Sequence, residues 1–420
     1  MAAQFPWGES IEVRAELGFI VREFTLNSST LDGTDVLDGT LEGLDISPYV
    51  QAATISRGRQ DQLAGFGAGT LSLTLLNNDR RFDPLNQDSP YWDVTLGRSG
   101  VVPRRKVSIL ADGEYLFVGR IVDVDVAYEP GSAGQDLSTA TITCADDFQI
   151  LANTATEAAL TPTQELSGAR VSYILDLPEI AYPVASRDIN TGTATLGAFQ
   201  ISENTNALAY LQRIAEAEQG LCFISRAGNL TFRDRTTTVF SNPSETFSDD
   251  GGGIPYQTLS IRYGSETLFN KVVITSEGGT PQVADDAASQ TEFGIQTLTF
   301  SDTLLASDAQ ALSLASNLLS QYAEPEYRFD ALTVILNDKA TIDRESILSL
   351  ELGDQVSVIR TFATGNPLQV TDVYQIQAIR QSLSPSSHSV EFGLAWIALV
   401  YPFILNDAQF GVLDADNALT

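Results

Sequence analysis

The chain is poor in the residues from which most catalytic sites are built. Its 420 residues include one histidine, His388, and two cysteines, Cys144 and Cys222. His388 stands in a polar stretch, SPSSHSV, read as a loop ahead of a strand. A Ser–His–Asp triad needs its base held in a cleft, so this is a poor place for one. The few Cys and His residues, scattered as they are, cannot furnish a usual zinc site. Cys144 falls in a strand pattern and Cys222 after a helix pattern, and both read as small buried hydrophobes. A disulfide between them is left open, but two cysteines make no extracellular framework. The Gly-rich GFGAG (65–69) lies between strands with no lysine after it, so it is no phosphate loop. The acidic residues offer many pairs for sugar hydrolysis, yet nothing singles one out. No catalytic, cofactor-binding or metal-ligating residue is nominated, and no enzyme activity is expected.

Positive charge is equally scarce. There are 24 basic against 54 acidic residues, a formal net charge of −30. Lys106, Lys271 and Lys339 are the only lysines, and no basic run occurs. That argues against attraction to nucleic-acid phosphates and to anionic membranes. The charge fits solubility, a high-salt habitat, or a surface that must not adhere to nucleic acid. Long apolar runs are missing too. AWIALVYPFIL (395–405) is too short to span a membrane and contains Pro402. MAAQFPWGES has neither the basic start nor the apolar core of a signal peptide. The expectation is a protein made and kept in the cytoplasm until assembled or released. One acidic stretch, LDGTDVLDGTLEGLD (31–45), has the clustered carboxylates that calcium needs. Its spacing is not that of an EF-hand, and it reads as a solvated loop.

What the chain does have is a strand pattern that occurs twice. The first copy reads TLSLTLLNND (70–79), VSIL (107–110), EYLFVGRIVDVDVAY (114–128) and STATITCADDFQIL (138–151). The second reads DALTVILND (330–338), QVSVIR (355–360), DVYQIQAIRQSL (372–383) and HSVEFGLAWIAL (388–399). Each segment alternates apolar and polar residues, as half-buried strands do. Four matched strands in one order indicate two related β units.

Between them the period changes. ELSGARVSYILDL (165–177) predicts a short amphipathic helix. SENTNALAYLQRIAEAEQG (202–220) predicts a stronger one, with Asn204 or Thr205 as cap and Gly220 as stop. LCFISRAGNLTFRDR (221–235) predicts a hairpin turning at Arg226–Asn229. GGG (251–253) and Pro255 mark the next boundary. TLSIRYGSETLFNKVVIT (258–275) is read as the opening of the second unit. A helix then interrupts that unit, with Ser307 and Gln310 as a capping box. Early in the chain, Asp79, Arg80, Arg81 and Asp83 are expected to form a salt-bridged corner before Pro84.

The run SPYVQAATISRGRQDQLAGFGAGTLSLTLLNNDRRFDPLNQDSPYW (47–92) resembles the opening of minor tail proteins of long-tailed bacteriophages. Their pattern there is RGR, then F-x-AG, L-x-N-x-D, RFDP and SPY. VSILADGEYLFVGRIVDVDVAY, ALAYLQRIAEAEQGLCFISRAGNLTFRDR, LGDQVSV and FILNDAQFGVLD follow in the family's order. The resemblance implies a baseplate or tail-tip hub, mainly β with an α/β insert. Its implied parts are a first tube-type barrel (1–151), a helix–hairpin module (152–256) and a second tube-type barrel with one helix (257–400); the apolar residues Tyr401, Phe403, Ile404, Phe410, Val412 and Leu413, set among Asp and Asn without strand periodicity, read as a docking tail (401–420). In that class a homotrimer presents six barrels to a six-fold tube. The implied partners are the distal tail ring, the tape measure protein and tip or receptor-binding proteins. DNA passes without specific binding, and the chain inserts in no membrane. The implied location is the virion tail tip, after assembly in the host cytoplasm. The family carries no catalytic residues in this region, so cell-wall cleavage is not expected. The rivals are a hexameric distal ring protein, which would need only one barrel, and a carbohydrate-binding β protein or glycosidase acting on the host surface. The latter would use aromatic platforms, for which Trp92, Trp396, Tyr91 and Tyr401 are the obvious residues.

Overall fold

The computed structural model describes residues 3–4, 8–17, 43–59, 63–94, 96–128, 138–235, 243–325, 327–396, 401–402 and 417–418. The 31–45 stretch, apart from its last three residues, and most of the 401–420 tail therefore lie outside the described residues.

The first β unit contains β1 (Ser10–Ala15), β2 (Val50–Gly58), β3 (Thr70–Leu76), β4 (Lys106–Ala111), β5 (Glu114–Ala127) and β6 (Thr139–Ala145), followed by α1 (Phe148–Ala152). Alternation does here what the sequence predicts. Ile11 and Val13, Leu71, Leu73 and Leu75, and Val107 and Ile109 all point into one core, with polar neighbours outward.

The middle module holds α2 (Ser167–Leu175), β7 (Arg187–Ile189), α3 (Ala207–Glu218), β8 (Leu221–Ile224) and β9 (Leu230–Arg233). The expected helices and hairpin are present, but α3 begins and ends differently. Asn206, not Asn204 or Thr205, caps it by accepting from the N–H of Ala209 at 3.0 Å. Gln219, at φ 53°, takes the left-handed position ahead of Gly220.

The second unit comprises β10 (Glu245–Ser248), β11 (Thr258–Arg262), β12 (Lys271–Ser276), β13 (Gln282–Asp285), α4 (Ala287–Phe293), β14 (Thr297–Thr303), α5 (Asp308–Tyr322), β15 (Arg328–Ile335), α6 (Thr341–Ser349), β16 (Gln355–Thr361), β17 (Gln369–Ser384) and β18 (Ser387–Trp396). Two readings change. The segment 258–275 is not one opening element: β11 pairs β15, whereas β12 joins β13 and β14 in a separate sheet backed by α5. And β10, placed in the middle module by sequence, pairs parallel with β16 of the second unit. Only half of the expected capping box forms. Ser307 accepts from the Gln310 N–H at 3.4 Å, while the Gln310 Oε1 is buried without a partner.

The repeat is real down to single residues. In the first unit the pairing runs β4–β5–β6–β3–β2; in the second it runs β16–β17–β18–β15–β11. Both long strands bulge at the same step. Val122 is the extra residue between Thr143 and Cys144 of the facing strand, and Gln377 is the extra residue between Leu394 and Gly393. Leu73 pairs with Ile142 and Ala53, just as Leu332 pairs with Phe392 and Leu259. The units are not separate. β2 lies antiparallel on β17, which fuses them into one sheet of 14 strands whose path, among the described residues, is traced as open.

Candidate functional site

The feature that organises the molecule is this seam between the units, and the Arg57–Gly58–Arg59 step builds it. Residues Ala53–Gly58 pair with Ala378–Leu383. At the end of the seam β2 meets the bulge. Gly58 has φ +110°, and a Cβ there would sit 2.2 Å from the Gln377 carbonyl oxygen. Only glycine permits both that conformation and that approach. The flanking arginines secure the seam on either side. Arg57, 5% exposed, donates to the Ile224 carbonyl at 3.0 Å and to Glu351 Oε1 at 2.5 Å. It thereby ties the first unit to the middle hairpin and to the second unit at once. Arg59 donates through its backbone N–H to the Gln377 carbonyl at 2.9 Å and through Nε to Gln377 Oε1 at 2.5 Å. Its guanidinium covers the Phe66 ring at 4.8 Å.

A second set of contacts joins the units where the β4–β5 turn meets α6. Asp112 accepts from Ser10 N–H at 2.8 Å and from Arg344 Nε at 3.1 Å, with both side chains of that ion pair largely buried. Nearby, His388 corrects the sequence reading. It is not in a loop but is the second residue of β18, fully buried, with Nδ1 2.6 Å from Glu9 Oε1 and Nε2 3.2 Å from Gln381 Oε1. Its ring ties the start of the first unit to the second.

The Asp79–Asp83 corner forms as expected. Arg81 forks onto Asp79 and lies 3.9 Å over the Tyr49 ring. Arg80, at φ 56°, pairs with Asp83 at 2.5 Å, and Tyr128 donates to the same carboxylate at 2.5 Å. Hydrogen bonds from these neighbours hold the Asp83 carboxyl below its ordinary range even against some desolvation. The corner anchors the buried Phe82 between Tyr49 and Tyr91. Tyr91 therefore packs in the core, Trp92 and Trp396 are half-buried, and the side chain of Tyr401 is outside the described residues.

The Gly-rich 65–69 bend is a packing device. Gly69 donates to Asp146 Oδ2 at 2.6 Å, and Phe148 donates to Oδ1 at 3.0 Å. Burial pushes the Asp146 carboxyl up to about 7, with the two backbone bonds and Arg57 opposing it. Gln212 of α3 donates to the Phe66 carbonyl at 3.0 Å. Cys144 and Cys222 are buried and free, and burial pushes both thiols up to about 12. A cleft between the β8–β9 hairpin and the segment after α6 is lined by Arg226, Arg233, Asp188, Glu351 and Asp354. Its charges answer one another: Arg233 pairs with Asp188, and Glu351 accepts from the Arg226 N–H at 2.7 Å. Among the described residues no group of three acidic, His or Cys side chains gathers as a metal site, and no helix is long and apolar enough to cross a membrane.

The sequence matches no family model, and no curated protein matches it. Solved structures do. A tail protein from Neisseria meningitidis MC58 superposes with a TM-score of 0.58 at 14% identity, covering 93% of this chain and 98% of that one. The 43 kDa tail protein of prophage MuSo2 from Shewanella oneidensis gives 0.57 at 13% identity, covering 93% and 97%. The agreement runs through both β units and the module between them, so this chain has the fold of phage tail proteins.

Proposed function

We propose that the chain is a structural protein of a phage tail, serving as the hub of its tip. Three copies form a ring of six β units that connects a six-fold tube or its distal ring to three-fold tip components. The observation that carries this is the β2–β17 seam. Two equivalent units meet there through different strand edges, a head-to-tail contact. Repeated by a rotation that closes, such a contact generates a ring. Two units per chain give six-fold geometry from three chains, whereas a hexameric distal ring protein needs one unit per chain. The partners proposed are the distal ring, the tape measure protein and the tip or receptor-binding proteins. The charge of −30 suits a channel wall along which DNA slides without adhering.

Electron microscopy of tails containing this chain tests the reading. The expected map shows three copies in one ring at the tip, each supplying two β units. Six copies in one ring, or density only elsewhere in the particle, overturns it. Duplex DNA binding is expected to be undetectable at physiological salt, and micromolar, salt-sensitive binding overturns the inert channel.

A further inference from the structure

Among the edges that the strand path leaves without a neighbour in the described residues, two belong to equivalent places of the two units. β11 pairs only with β15 and ends the path. β5 pairs with β4 as far as Arg120, and Ile121 still bonds to Arg104 and Arg105. From Val122 to Ala127, β5 has β6 on one side and, among the described residues, no strand on the other. On this edge the N–H of Val124 donates to the Asp123 carboxylate at 2.9 Å. Charged side chains such as Asp123 and Asp125 are one means by which exposed edges are kept from pairing at random.

These two edges are the halves of the intrachain seam, present a second time. β11 is the counterpart of β2, and the distal half of β5 is the counterpart of the stretch of β17 on which β2 lies. The correspondence reaches single residues. Strand pairing matches Thr54 to Ser260; past the bulge of the β11–β15 ladder, where Asp330 is the extra residue, counting along the chain matches Ile55-Ser56-Arg57-Gly58 to Ile261-Arg262-Tyr263-Gly264, and the bulge residue Gln377 matches Val122. We infer that β11 of one chain docks antiparallel on the distal half of β5 of the next copy. The register is that of the seam, with Ser260 opposite Ala127, Arg262 opposite Asp125 and Gly264 opposite Asp123 of the next copy. The inference rests on the ring reading and names the surfaces that close it.

Three observations support a second copy as the occupant. Glycine recurs at the position that matches Gly58 along the chain, without the positive φ of Gly58, and a Cβ on Gly264 would meet nothing within 4 Å in the single chain. The fold of one chain thus gives no packing reason for that glycine. Charge matches as well: Arg262 is exposed on β11, and Asp125 and Asp123 are exposed on β5. Arg262 already pairs with Glu266 and Asp330, but these pairs are open to solvent and exchange readily. Finally, apolar side chains flank both edges. Ile261 and Tyr263 are 37% and 67% exposed on one side, and Val122 and Tyr128 are 37% and 48% exposed on the other.

Disulfide trapping tests the pairing. Ser260→Cys and Ala127→Cys are introduced together, both positions being exposed and small, while the buried native thiols stay unreactive. Oxidation, in solution and in purified tails, is expected to give a closed three-chain product on a non-reducing gel. Ser260→Cys with Asp123→Cys, out of register, is expected to give none. Adding Gly264→Val to the first pair is expected to abolish the product with the melting curve of the single chain unchanged. A ring of three seen by native mass spectrometry but with no cross-link overturns the strand pairing and leaves the hub reading intact. A ladder of open multimers upholds the pairing and overturns the ring. Absence of both assembly and cross-link, including in tails, overturns both.

Discussion

Val122 and Gln377 occupy the same bulge in the two β units, yet Val122 is 37% exposed and Gln377 is 5% exposed. The backbones there are equivalent, so the difference comes from what lies against each. Gln377 is covered by Gly58 and Arg59, whereas Val122 faces no strand of its own chain among the described residues. The two donor strands differ in the same sense. Arg57 of β2 is buried at the seam, and its counterpart Tyr263, just past β11, is 67% exposed. The first unit has spent its β2 edge on the second unit, and the second unit's β11 edge has no neighbour among the described residues. The chain is therefore a repeat with one internal joint and two matching ends.

The sharpest way to break the comparison is to fill the two glycines. Gly58→Val places a side chain 2.2 Å from a backbone oxygen at positive φ. It is expected to cost at least about 3 kcal/mol and to lower the melting temperature or the soluble yield markedly. Gly264→Val is expected to leave single-chain stability within about 0.5 kcal/mol in denaturant unfolding and to impair assembly alone. Equal destabilisation by the two would show that the units are not related as described.

The arginine pair follows. Arg57→Ala removes a buried guanidinium that bonds the Ile224 carbonyl and Glu351 across the seam, and is expected to cost about 3 kcal/mol in urea unfolding. Tyr263→Ala, at the matching exposed site, is expected to change stability little. A mild Arg57→Ala would mean that the seam is held by backbone pairing alone.

Asp146 gives a pH-dependent contrast, since Trp396 stands at its place in the second unit. Its carboxyl titrates at about 7 in the folded chain against 3.8 in the unfolded one. The folded state thus binds the extra proton, so this contribution to stability is complete below about pH 4, declines as pH rises and is lost above about 7. Asp146→Asn is expected to flatten the stability–pH curve over that window relative to the parent, measured by urea unfolding at several pH values. An unchanged slope would show that Asp146 does not titrate there.

The smallest effect on the fold is expected at Arg262. Its ion pairs with Glu266 and Asp330 are exposed, so Arg262→Asp should alter single-chain stability by less than about 1 kcal/mol. Ring formation, followed by native mass spectrometry, should weaken, and Asp125→Arg in the same chain should restore it.

Much of the fold was legible because alternation writes the buried face of a strand directly into sequence. The segments read as strands at 70–79, 114–128 and 330–338 became β3, β5 and β15 with shifts of a few residues at their ends. His388 was misread because its serine neighbours suggest a loop, although it shares the parity of Val390, Phe392 and Leu394, which are all buried. The 258–275 run looked continuous, but Gly264 and the residues after it break it, and its two halves enter different sheets. The corner at Asp79–Asp83 was readable because its partners are two or three residues apart.

The sequence by itself determined the duplication, the strand faces, the local corner and the acidic character, since each is fixed by near neighbours or by composition. Only the tertiary structure decided where the Arg57–Gly58–Arg59 step lands. A glycine in a strand signals that some backbone comes close, but its partner, Gln377, is more than three hundred residues away, and no local pattern specifies it. The same holds for the bulge and for the pairing of β10 with β16. Strand edges are chosen by which ladder is left unpaired after the cores have packed, and that is a property of the whole chain.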